Sequence, residues 1–319
     1  MSKVILVAGG SGFIGSNLCT LLLKNGNKVI CVDNLRTGNK RNIKLLLSNQ
    51  NFIFIQDDIC SNKITTNFKN KKIDQIYHLA SPASVTYVTQ HPVEVALTNS
   101  VGTKNLLELA HLKKARTLFA SSSEVYGDPQ KHPQKESYWG NVNPVGVRSG
   151  YDEGKRFGEA LCMAYQREFG LPICIARIFN TYGPNSSATD TRVIPRFITQ
   201  ALKNEELTVY GDGLQTRSFC YVSDMILGLE KVMESADCGP FNIGNPEEYQ
   251  IKKVAKIILN LTRSKTKIKF TKRPEDDPSA RKPDISNARQ KLNWSPDISF
   301  QDGLMYTIQY FRELLVLQT

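Results

Sequence analysis

Short, uniformly apolar runs alternate in the first half of the chain with stretches that repeat apolar positions every three or four residues. Val4–Ala8 is such a run, the pattern of a strand buried on both faces. Phe13–Asn25 then carries helical spacing, and Lys28–Val32 returns to an apolar run. Phe52–Gln56, Gln75–Leu79, Arg116–Ser121 and Ile173–Ile178 read as further buried strands. One long helix is expected after His91-Pro92, reaching about Leu112, and another over Asp152–Phe169. Strands separated by helical crossovers predict an α/β fold with a doubly wound parallel sheet. After Asn180 the pattern turns irregular and richer in glycine and proline. Loops and short elements there are expected to form a lid over the carboxyl ends of the strands, where such sheets bind ligands.

Length and composition narrow the class without deciding it. A chain of 319 residues can bury roughly three quarters of the surface it exposes unfolded. No apolar run has the length of a membrane span, and Met1-Ser2-Lys3 leads into the first strand without a signal-cleavage pattern. A cytoplasmic protein with no membrane partner is expected. The seven cysteines are scattered and odd in number, which fits reduced thiols and argues against a disulfide framework or a zinc site. His78 ends a strand and reads as structural, and no metal is expected. The net charge of +11 raises nucleic acid as a partner. Lysines spread along the chain, with no basic tail or aromatic-basic motif, weigh against it; a positive cleft also suits an anionic substrate.

Candidate chemistry begins at Gly9, Gly12 and Gly15, a G-x-x-G-x-x-G directly after the first strand and at the mouth of a helix. Glycines there tighten the turn and let a pyrophosphate approach the backbone, while the helix N-terminus offers free N–H groups. Asp33 ends the second strand 18 residues after Gly15. A carboxylate there accepts from ribose hydroxyls and repels a 2′-phosphate, favouring NAD over NADP. Asp58-Ile59, after the third strand, is placed to touch the adenine, or to be a plain loop. Tyr151 and Lys155, four residues apart, share one helix face. A phenol titrates near 10, too high for a base at neutral pH, and a nearby ammonium stabilises its phenolate. Tyr151 then takes a hydroxyl proton while hydride leaves for a nicotinamide, and Lys155 holds the nicotinamide ribose.

Gly9–Gly15, His78-Leu-Ala-Ser81, Ser121-Ser-Ser-Glu-Val-Tyr-Gly127 and Tyr151–Lys155 together resemble the extended short-chain dehydrogenases. The chain is more closely similar to the UDP-glucuronate decarboxylases. Matching stretches include Ala80-Ser-Pro-Ala-Ser84, Tyr138-Trp-Gly-Asn-Val-Asn-Pro144, Tyr151-Asp-Glu-Gly-Lys-Arg156, Tyr221-Val-Ser-Asp224 and Arg281-Lys-Pro-Asp284. The resemblance implies a Rossmann domain over residues 1–180 with the Tyr/Lys pair. Residues 181–319 would then form a smaller C-terminal substrate-binding lobe, with some segments returning to the first domain. It adds Phe13, Ile14, Asn34, Leu79, Ala80 and Ser81 to the NAD side. On the substrate side it implies Pro82, Ala83, Ser84 and Tyr87 near the sugar, although the family has a longer proline-rich stretch at Val85-Thr86. Asn180, Arg192 and Arg217 would meet the diphosphate, with Tyr210 and Gln215 near the uridine. The acidic Pro274–Pro278 stretch leads to Arg281, which the resemblance places beside the reacting ring to hold the carboxylate, deliver a proton or clamp the substrate.

The implied reaction is NAD-dependent decarboxylation of UDP-glucuronate to UDP-xylose through a UDP-4-keto intermediate. A ketone at carbon 4 lies beta to the carboxylate and accepts the electrons released with carbon dioxide. Ser122 or Ser123 would bond the carbon 4 oxygen, and Glu124 would support decarboxylation. Sugar 4,6-dehydratases carry Asp-Glu where this chain has Ser123-Glu124, and 4-epimerases a small residue in place of Glu124. The alternatives are those two activities, a decarboxylase releasing the 4-keto-pentose, and a non-catalytic NAD-binding sensor. A homodimer is expected through the helices around Thr98–Leu112 and Tyr151.

Overall fold

The computed structural model describes residues 2–273 and 277–316. Its centre is a seven-stranded, wholly parallel sheet. In chain order the strands are β1 (Val4–Ala8), β2 (Lys28–Asp33), β3 (Phe52–Gln56), β4 (Gln75–His78), β5 (Arg116–Ser122), β6 (Ile173–Ile178) and β7 (Phe241–Ile243). Across the sheet they run β7-β6-β5-β4-β1-β2-β3. The order reverses between β1 and β4, which opens a crevice at their carboxyl ends.

Alternation along each strand sends side chains to both faces, and both are covered. Val7, Val29 and Cys31 pack against Leu18 and Leu22 of α1 (Phe13–Lys24) and against Met225 and Leu229 further along the chain. Leu6, Ile30 and Val32 point the other way, towards Leu106 and Leu109. These two lie in a helical run that begins at Pro92 as expected and ends at Lys113. It includes one π-type turn over Thr98–Gly102, where Gly102 faces Ile59 with no room for a Cβ. The helix of the Tyr151 segment, α2 (Ser149–Phe169), starts three residues before the expected Asp152, so Tyr151 sits in its first turn.

Beyond Asn180 the chain is more ordered than its glycine and proline content led us to expect. The helices α3 (Val193–Leu202), α4 (Val222–Glu234), α5 (Ile251–Thr262) and α6 (Phe300–Val316) occupy much of it. In α5 the buried residues are Ile251, Val254, Ala255 and Ile258, a helical stripe that joins Phe197, Ile198, Leu304 and Phe311 in a second core. Meanwhile α4 and β7 pack with the central sheet, β7 pairing with β6 through Phe241 and Ala176. The short strand Ala280–Arg281 pairs in parallel with Thr216–Ser218, which sets Arg281 opposite Arg217. Among the described residues no helix is long and apolar enough to cross a membrane, and the seven cysteines are free thiols.

Candidate active site

The crevice at the carboxyl ends of the strands opens into one cleft of about 830 Å³. Every residue singled out above as a candidate for cofactor, substrate or chemistry lines it. Pro274, Glu275 and Asp276 of the acidic stretch lie outside the described residues, whereas Asp277 reaches the cleft wall.

On the dinucleotide side the glycines meet hard steric limits. Gly9 has φ +80°, and a Cβ there would stand 2.7 Å from the Ala80 nitrogen. A Cβ on Gly15 would come within 2.1 Å of the Gly9 carbonyl oxygen. Asp33 is buried, and its carboxylate accepts from the backbone N–H groups of Ser11 (3.0 Å) and Leu35 (2.8 Å). It is therefore fixed at the loop mouth with lone pairs still to offer. Asp58 accepts from Asn34 Nδ2 and from the Cys60 N–H, both at 2.8 Å, so it braces the neighbouring loop. A tight glycine cradle, the free N-terminus of α1 and a fixed carboxylate fit an adenosine ribose and a pyrophosphate.

The reacting side is built where β5 ends. Ser122 Oγ accepts the Glu124 N–H at 3.2 Å, capping a short turn over Ser123–Tyr126. The two serines that sequence left equivalent diverge here. Ser122 hydrogen-bonds the Tyr151 phenol, whereas Ser123 Oγ accepts from Arg281 at 3.0 Å. Burial pushes the Tyr151 phenol up to about 12 despite the Ser122 bond. Lys155 is 3% exposed and its ammonium donates to the Ala120 carbonyl at 2.8 Å; burial holds it down to about 7. A lysine four residues along the helix thus stands beside Tyr151, with Nζ 5.7 Å from the ring centroid, and bonds the end of β5.

Glu124 lies between two guanidiniums. Arg148 Nη2 is 2.6 Å from Oε2 and Arg281 Nη1 is 3.1 Å from Oε1. Burial alone would raise this carboxyl; Arg148 and Arg281 outweigh it and hold it near 2. Arg281 is 1% exposed and also donates to the Gly127 carbonyl at 2.8 Å, while its Nε finds no hydrogen-bond partner among the described residues. Arg148 was missed in the sequence reading. Its signal was present, since it stands three residues before Tyr151 and so one helical turn away.

The outer cleft is basic. Arg192 is bound by Asp190, with Nε and Nη2 at 2.9 and 2.5 Å from Oδ2. Arg217 pairs with Asp277 at 2.8 Å. Arg196, also missed, lies 4.4 Å over the Tyr210 ring, while Gln215 donates to the Tyr210 carbonyl at 2.7 Å. Asn180 donates to the Ser218 carbonyl at 3.3 Å. Tyr87 stands in a short helix, Val85–Gln90, capped by Ser84, and its hydroxyl meets Glu94 at 3.1 Å. Planar guanidiniums held in this way suit phosphate oxygens.

A family model described as GDP-mannose 4,6 dehydratase matches residues 6–307. The chain is 49% identical over 309 residues to UDP-glucuronic acid decarboxylase 5 of Arabidopsis thaliana, covering 97% of this chain and 89% of that relative. Among solved structures, a UDP-glucose 4-epimerase of Thermotoga maritima with UDP-glucose superposes with TM-score 0.91 at 30% identity, covering 98% of this chain and 99% of that one. A dTDP-glucose 4,6-dehydratase of Bacillus anthracis in complex with NAD gives TM-score 0.87 at 26% identity, covering 98% and 97%.

Proposed function

We propose that this chain, which belongs to the GDP-mannose 4,6 dehydratase family of extended short-chain dehydrogenases, uses NAD to convert UDP-glucuronate to UDP-xylose through a UDP-4-keto intermediate. The observation that carries the reading is the Arg148–Glu124–Arg281 ion cluster beside Tyr151. A substrate that must present a carboxylate to the reacting centre needs positive charge there, and an epimerase or dehydratase substrate without one does not. Ser123 in place of the dehydratase acid and Glu124 in place of the epimerase small residue point the same way. The decarboxylase likeness and the NAD- and UDP-sugar-bound neighbours support substrate and cofactor.

Gly9, Gly12, Phe13, Ile14 and Gly15 would hold the pyrophosphate, and Asp33 and Asn34 the adenosine ribose, with Asp58, Ile59, Leu79, Ala80 and Ser81 along the remaining wall. Bound NAD supplies the hydride acceptor, and later donor, for carbon 4. Ser122 would hold the carbon 4 oxygen while Tyr151 Oη, as phenolate, accepts its proton; Lys155 as a cation and the positive nicotinamide of bound NAD would have to bring the buried phenol down from about 12. The bond between carbon 5 and the carboxylate then breaks, carbon dioxide leaves, and the electron pair enters an enolate that takes a proton at carbon 5 from solvent water, while the proton held by Tyr151 goes back to the carbon 4 oxygen as hydride returns. Arg281, on the cleft wall beside Glu124, is suited to anchor the carboxylate. Glu124, kept ionised, would hold both arginines on station rather than donate a proton. Pro82, Ala83, Ser84 and Tyr87 would border the sugar. Asn180, Arg192 and Arg217 would meet the diphosphate, with Tyr210 and Gln215 at the uridine.

The proposal extends to a substrate lobe over residues 181–319, a homodimer and a cytoplasmic location. Val93, Leu97, Val101 and Phe157, all exposed on the helical run 92–113 and on α2, support pairing through those helices. Time-resolved NMR of purified enzyme with UDP-glucuronate, with and without added NAD, tests the activity. UDP-xylose without net NADH is the expected result. A 4-keto-pentose with accumulating NADH would make it an oxidative decarboxylase, and unchanged UDP-glucuronate despite NAD binding would reject the substrate.

A further inference from the structure

Gln134 is fully buried in a loop whose neighbours Lys131, His132, Pro133 and Lys135 are all exposed. It does not line the cleft, and nothing in the chemistry above uses it. A polar side chain withdrawn from water in a solvated loop needs partners, and those of Gln134 are specific. Its backbone N–H donates to the Lys282 carbonyl at 2.9 Å, and its carbonyl accepts the Asp284 N–H at 2.8 Å. The side chain repeats the grip: Oε1 accepts the Lys282 N–H at 2.8 Å, and Nε2 donates to the Lys131 carbonyl at 2.8 Å. From below, Asn242 of β7 donates to the carbonyls of Gln134 and Asp284, both at 3.0 Å, and accepts from the Tyr126 hydroxyl at 2.7 Å.

We infer that Gln134 is a positioning residue that seats Arg281 against Glu124. The residue whose N–H and carbonyl it grips, Lys282, is the next one along from Arg281. On its other side the Arg281 backbone is held by the short strand pairing of Ala280 and Arg281 with Thr216 and Arg217. Arg281 comes from the second half of the chain, while Ser123, Glu124 and Gly127, which receive its guanidinium, follow directly after β5 of the first. Gln134 and Asn242 are the clasp that joins the two. Through Tyr126, the clasp is anchored to the same turn that carries Glu124.

The inference rests on Arg281 acting in the proposed reaction, and a double-mutant cycle separates the two. Gln134→Leu, Arg281→Lys and the double variant are compared as NAD-loaded enzymes for carbon dioxide release from UDP-glucuronate, with thermal unfolding of each. Misplacement of a reacting group by about 1 Å costs on the order of 100-fold, so Gln134→Leu should lower kcat by 10- to 100-fold and leave KM nearly unchanged. Adding it to Arg281→Lys should cost little more, because both remove the same contact. Arg281→Lys at the wild-type rate would overturn the role of Arg281 and the inference with it. A slow Arg281→Lys with fully additive losses would overturn the clasp alone. Should Gln134→Leu fail to fold, Gln134→Glu replaces it. Its carboxyl reproduces both bonds only when protonated, so kcat relative to wild type should rise as pH falls; a flat ratio would refute the positioning role.

Discussion

Replacing Glu124 with glutamine keeps the shape of the side chain and removes the charge between Arg148 and Arg281. The two guanidiniums hold the carboxyl near 2 against an ordinary 4.5, a difference that corresponds to about 3 kcal/mol. The Glu124 side chain is 19% exposed, so solvent screening is partial. Removing one partner of a buried ion cluster strands the others, here Arg281 above all, and costs typically 3–5 kcal/mol. For a chain of 319 residues the average unfolding entropy makes about 3 kcal/mol a fall in Tm of about 5 °C. The contribution has a definite pH dependence. Because the folded carboxyl titrates below the unfolded one, its stabilisation is complete above about pH 5 and is lost as pH falls from about 4.5 towards 2. The gap in Tm between wild type and Glu124→Gln should therefore shrink by about a third to a half between pH 7 and pH 3.5. Thermal unfolding at both pH values, alongside carbon dioxide release, is the assay. Release should fall by about 100-fold or more if an ionised carboxylate is needed. A variant with wild-type release refutes the catalytic role, and a Tm gap that does not narrow in acid refutes the ion cluster.

Other consequences can be checked as directly. Lys155, held near 7 by burial, is a buried cation below that pH, while the unfolded chain solvates it. Lys155→Met should therefore raise Tm most below pH 7, with the gain shrinking as pH rises towards 10.5; a gain independent of pH would contradict the burial. Gly15→Ala drives a methyl to within 2.1 Å of the Gly9 carbonyl oxygen, so calorimetry should find NAD affinity lowered by at least about tenfold, equal to 1.4 kcal/mol. Leu97→Glu with Phe157→Glu places charge on the exposed apolar face. Sedimentation should then show monomer where the parent chain is dimeric, and an unchanged dimer would move the interface elsewhere.

The sheet was legible because its strands are short apolar runs, and Val4–Ala8, Phe52–Gln56 and Ile173–Ile178 form over the residues expected. The second half was not, although α5 carries a clear stripe of Ile251, Val254, Ala255 and Ile258. Glycines and prolines between its elements mark turns, and we took that punctuation for irregular chain. Spacing brought Tyr151 and Lys155 onto one helix, but it carries no measure of burial. Burial is what raises the phenol and lowers the ammonium. Equally, Gln134 is held through partners distant in sequence, and its pairings with Lys282 and Asp284 arise only when the two halves meet.

The seventh strand has a bearing on how the protein is made. β6 ends at Ile178, and the strand that covers its outer edge, β7, begins only at Phe241. A ribosome must add some sixty residues, α3 and α4 among them, between the two. Throughout that interval the nascent sheet would present the free N–H and C=O groups of Ile173–Ile178 along a flat apolar margin, the surface on which chains aggregate. Cutting the gene after codon 180 would make that exposure permanent. The half that carries the glycine cradle, Tyr151 and Lys155 is thus complete as a sequence long before it is complete as a folded object, and a chaperone that shields one strand would meet its need.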